Sequence, residues 1–83
     1  MERKPYPAEE RRLKMVLGAM PSKHFEGAVR IRRKIWNDYA TPEERTVLDH
    51  RAERCLEALV RDGRAEKTEK DGKTVYRRKG ESA

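Results

Sequence analysis

His24, His50 and Cys55 are the only soft metal-ligand side chains in the chain. Zinc sites need paired ligands at short, fixed spacings, and these three residues match no such pattern, so no metal and no other cofactor is expected. Cys55 as a nucleophile needs an activating base beside it, and the sequence supplies none. The carboxylates are scattered, mostly at helical distance from a Lys or Arg that can pair with them. No Gly-rich phosphate loop occurs. These observations predict a chain without catalytic residues, not an enzyme. What remains for chemistry is cationic: 21 Lys and Arg against 15 Asp and Glu, a formal charge of +6. Such an excess favours an anionic partner, whether nucleic acid, an acidic protein surface or an anionic membrane surface.

The elements that must position those cations fit one small domain, since 83 residues allow no more. Residues 5–79 are assigned to it, with the polar stretches 1–4 and 80–83 as loose tails. Hydrophobic residues make up 35% and charged residues 43%, so the core must be lean. The apolar residues nevertheless fall at helical spacing, which a disordered chain lacks. No apolar run is long enough for a membrane span or a signal-peptide core. One cysteine cannot form an internal disulfide, which suits a reducing, cytoplasmic setting.

Pro7 followed by Glu9 and Glu10 reads as a helix start. Leu13, Val16, Leu17 and Met20 then form one apolar stripe, and Pro21 ends the helix. Gly18 within it costs roughly 1 kcal/mol against Ala and would permit close approach of another helix. A second helix is predicted from about Phe25 to Trp36, with Phe25, Ala28, Val29, Ile31, Ile35 and Trp36 inward and Arg30, Arg33 and Lys34 outward. Arg32 falls on the apolar side, where its stem can lie along the core while its head reaches solvent or Asp38.

Thr41-Pro42-Glu43-Glu44 is a helix start with an N-cap, Pro in the first turn and a capping box. Val47, Leu48, Ala52, Cys55, Leu56, Leu59 and Val60 hold the apolar face that follows, and Asp62-Gly63 closes it with Gly63 as a left-handed C-cap. Two strand segments come next, 64–69 and 73–78, joined by Asp71-Gly72. That dipeptide suits a two-residue hairpin turn in which both residues take positive φ. An isolated hairpin is only marginally stable, so this one must lean on the helices, through Val75 or Tyr76. The fold class is mainly α with a small C-terminal β-hairpin, and three or four helices.

The stretch CLEALVRDGRAEKTEKDGKTVYRR, residues 55 to 78, resembles the C-terminal half of a winged helix-turn-helix domain of the kind found in bacterial, archaeal and viral regulators. The likeness covers roughly residues 41 to 78. It implies double-stranded DNA binding, with the helix before the hairpin in the major groove and the hairpin, or wing (about 64–78), on the flanking backbone. If the recognition helix runs about 49–62 from a cap at Asp49, the resemblance puts His50, Arg51 and Arg54 at base edges. Arg61, Lys67, Lys70, Lys73, Arg77 and Arg78 then meet phosphates. From Arg61 to Lys79 there are eight basic and four acidic residues. Glu53, Glu57, Glu66 and Glu69 share these surfaces and oppose that role.

The family has two short helices joined by a turn, and the sequence admits two registers for them. Helices 42–48 and 49–62 are the expected reading. The alternative is one helix 42–62 preceded by NDYA as the turn, which would lead with Glu43, Glu44 and Arg45. An acidic leading edge is a poor probe of a phosphate-lined groove. That register favours a second function, a winged-helix module that docks on a protein as adaptor or inhibitor. The first reading is a transcriptional regulator acting as a homodimer. Leu13, Val16, Leu17 and Met20 are then either dimer-interface residues or part of the chain's own core.

Overall fold

A computed structural model describes residues 7 to 79. The expected loose tails, 1–4 and 80–83, lie outside them. Three helices and three short strands follow in the order α1 (Pro7–Ala19), β1 (Glu26–Gly27), α2 (Ala28–Ile35), α3 (Pro42–Arg61), β2 (Ala65–Lys70) and β3 (Lys73–Arg78). The strands form one antiparallel sheet in the order β1-β3-β2. Among the described residues no helix is long and apolar enough to cross a membrane.

The helices pack around a lean core. Leu13, Val16 and Met20 of α1, Ile31 of α2, and Cys55, Leu56 and Leu59 of α3 are buried together, with Ala65 and Tyr76 of the sheet closing the cluster. Leu13, Val16 and Met20 are therefore covered inside the chain, and Leu17 is half-buried against the same cluster. The stripe considered for a dimer interface is the inner face of α1.

The local signals in the second half act as their chemistry dictates. Thr41 Oγ1 accepts from the Glu44 N–H at 3.1 Å while the Glu44 carboxylate accepts from the Ala40 N–H at 3.2 Å, a capping box whose return bond falls one residue before the N-cap. At the other end of α3, Gly63 takes φ 81°. Its N–H reaches the Val60 carbonyl, and the Arg64 N–H reaches that of Leu59, the paired bonds of a Schellman C-cap. The hairpin turn at Asp71 and Gly72 takes φ 54° and 78°, as the Asp-Gly signal requires.

Several expectations are corrected. α3 is one unbroken helix from Pro42 to Arg61, not two helices meeting at Asp49. No residue between Thr41 and Gly63 breaks a helix, and Asp49 caps nothing because its carboxylate is taken by Arg32 at 2.6 Å. The same bond corrects the reading of Arg32, whose head pairs with Asp49 rather than reaching solvent or Asp38 and is only 2% exposed. α2 starts at Ala28, because Glu26 and Gly27 form a third strand opposite Tyr76 and Val75. Phe25 thus precedes that strand, and Val29 is 51% exposed. Val47 is 57% exposed; in a continuous helix it stands roughly 140° round the axis from Ala52. Gly18 is exposed with nothing within 4 Å of where a Cβ would sit, so it serves no close helix contact.

Candidate nucleic-acid interface

Glu57 joins the hairpin to α3. The Tyr76 hydroxyl donates to Glu57 Oε2 at 2.7 Å, and Lys67 Nζ donates to Oε1 at 2.8 Å. Lys67 and Tyr76 face each other across β2 and β3, so one carboxylate grips both strands at the same level. Those two donors hold the Glu57 carboxyl below its usual range, against a smaller opposing effect of burial. Burial, and after it the bond to Glu57, pushes the Tyr76 phenol far above its ordinary value. This is what the hairpin leans on: Tyr76 is 4% exposed, with Ala65 at 4% beside it in the core.

Beyond that anchor the hairpin stands clear of the body. Residues 67 to 74 are all exposed, which places Lys70 and Lys73, a cross-strand pair, at its outer end. The inner half is different. Arg77 lies over the Phe25 ring, 4.4 Å from its centre, and pairs with Glu66 at 3.0 Å. Arg78 is half-buried and its N–H donates to the Pro21 carbonyl. Of the hairpin cations assigned to phosphate, Lys70 and Lys73 pair with no carboxylate among the described residues, whereas Lys67 and Arg77 hold internal carboxylates.

A shallow groove runs along the outward face of α3, lined by His50, Glu53, Arg54, Glu57, Ala58 and Arg61 from the helix, by Tyr76 from β3 and by Glu9 from α1. His50, Arg54 and Arg61 are exposed on it. Arg51 does not join them; it is half-buried with its guanidinium over the Trp36 ring at 5.5 Å. The unbroken α3 also adds residues that were not assigned: Arg45, Thr46 and Val47, exposed in its N-terminal half. Thr46 Oγ1 donates back to the Pro42 carbonyl at 3.2 Å. The alternative register already held the signal for Arg45, but not for Thr46 or Val47. Nothing in the sequence pointed to Glu57 as the hairpin's anchor, because its two donors come from strands folded onto it.

Among the described residues no group of His, Cys, Asp or Glu side chains is placed to hold a metal. Cys55 is 8% exposed in the core, and burial raises its thiol above the ordinary range, the opposite of an activated nucleophile. No family model, curated protein or solved structure matches this chain.

Proposed function

We propose that the chain is a winged helix-turn-helix domain that binds double-stranded DNA and acts as a transcriptional regulator, with α3 as the reading helix and the β2–β3 hairpin as the wing. One observation carries this reading: Arg54 and Arg61 on the outward face of α3 line one groove with Tyr76, the residue through which the hairpin ending in Lys70 and Lys73 is anchored to that helix. The order of elements and the strand order β1-β3-β2 accord with that fold.

Internal pairing strengthens the case. Two of the four carboxylates that counted against DNA are bonded inside the chain, Glu57 to Lys67 and Tyr76, and Glu66 to Arg77. The acidic leading edge of α3 is also reduced, since Glu44 folds back to cap the helix and leaves Glu43 beside Arg45. In this register Val47 and His50 meet base edges in the N-terminal half of α3, with Arg54 following on the same face and Arg51 turned away. Because Leu13, Val16 and Met20 are used inside the chain, that stripe is not the interface of a homodimer. A mobility-shift assay with mixed-sequence duplexes at low salt tests the proposal; no complex at any protein concentration would sink it.

A second reading, docking on a protein partner as adaptor or inhibitor, draws on two observations: Glu43 at the tip of an unbroken α3, and Val47 exposed behind it. A single protein partner retained after nuclease treatment, with no duplex shifted, would favour it.

A further inference from the structure

Arg32 is the only charged side chain buried among the described residues. Its guanidinium meets each of the three parts that set the direction of α3. Nε donates to Asp49 Oδ1 at 2.6 Å, in the body of α3. Nη1 donates at 3.0 Å to the carbonyl of Trp36, the residue that caps the C-terminus of α2. The cation also lies 5.6 Å from the ring centre of Tyr39, in the segment that joins the two helices.

Stability alone is a poor account of this arrangement. Desolvating a guanidinium is costly, and apolar side chains of similar volume often serve a core equally well or better. What a planar, forked donor adds is direction. Apolar contacts are non-directional, whereas a guanidinium bound to a carboxylate and a carbonyl accepts a narrow range of angles. A binding face must be held within about 0.5 Å of its productive geometry, and Arg32 is where α2, the joining segment and α3 are locked together.

We infer that Arg32 is a positioning residue for the reading face of α3: paired with Asp49, it sets the angle between α2 and α3 without touching DNA. This rests on the DNA-binding reading above. The test compares the wild-type chain with the double variant Arg32→Met/Asp49→Leu and with Asp49→Asn, which keeps size and an acceptor. Two probes are used, the tightest duplex selected from a randomised pool and a mixed-sequence duplex of equal length.

The double variant is expected to fold, with wild-type far-ultraviolet dichroism and a cooperative melt. Its affinity for the mixed duplex and its salt slope stay unchanged, because no phosphate contact is removed. Affinity for the selected duplex falls about tenfold or more, the worth of one good base contact, and Asp49→Asn falls part of the way. Amide chemical shifts change across residues 36–41 and the first turn of α3. A double variant that keeps the wild-type ratio of affinities, loses both duplexes in parallel, or does not fold overturns the inference. If the wild-type chain binds neither duplex, the DNA reading itself fails and this one with it.

Discussion

The Tyr76 hydroxyl donates a 2.7 Å hydrogen bond to the Glu57 carboxylate, tying the last strand of the sheet to α3. Lys67 donates to the other oxygen of the same group, so the hairpin's placement depends on one ionised side chain. The phenol ring is in the core and its bond is part-buried, where a hydrogen bond to a charged group contributes about 1.5–3 kcal/mol. Tyr76→Phe is expected to lower stability by about 1–2 kcal/mol while keeping the ring's packing, and denaturant unfolding measures it.

The same carboxylate makes stability depend on pH. Its folded pKa is lowered by Lys67 first and Tyr76 second, from an ordinary value of 4.5. The unfolded state therefore binds the proton more readily. The contribution is fully present above pH 4.5 and is lost as the pH falls through the lower folded value. Glu57→Gln should flatten that part of the stability curve, leaving the variant less stable than wild type at neutral pH and closer to it in acid.

Lys70 and Lys73 stand at the outer end of the hairpin, with no carboxylate among the described residues bonded to either. Lys70→Ala with Lys73→Ala should weaken binding to selected and mixed duplexes alike. The salt slope, read from affinities across a salt series, should fall by about 2, one for each phosphate contact removed.

Arg54 and Arg51 are three residues apart yet face different surroundings, Arg54 in the groove and Arg51 across Trp36. Competition binding should show Arg54→Ala losing about 1–3 kcal/mol of discrimination between the selected and the mixed duplex. Arg51→Ala should leave that ratio unchanged. Equal loss in both variants would argue against the unbroken-helix register of the contact.

Val47 and Leu56 are both apolar residues of α3, but the first is 57% exposed and the second fully buried. Leu56→Ala is expected to cost about 2–5 kcal/mol, Val47→Ala less than about 0.5 kcal/mol. Gly18→Ala should stabilise by about 0.5–1 kcal/mol, because the position is helical, exposed and sterically open. Thermal melts of the three variants report these together.

Signals confined to a few neighbouring residues were legible in the sequence. Thr41-Pro42 with Glu44, Asp62-Gly63 and Asp71-Gly72 act through backbone geometry and bonds that span at most five residues. The ends of α3 and the hairpin turn followed from them without knowledge of the rest. The apolar stripe of α1 was equally plain, although whether it met the chain's own core or a second copy was not.

Tertiary structure decided everything that needed a partner distant in sequence. β1 is two residues, Glu26 and Gly27, with no local mark of a strand; its bonds come from Tyr76 and Val75, half a chain away. Asp49 resembled a helix cap until Arg32, buried in α2, took its carboxylate and α3 ran through unbroken. That continuity turned Val47 outward and Arg51 toward Trp36, which set the composition of the groove. The basic total of the sequence named a class of partner. Which cations remain free to meet one depended on how Glu57 and Glu66 paired in the folded chain, because an ion pair is a property of distance and not of composition.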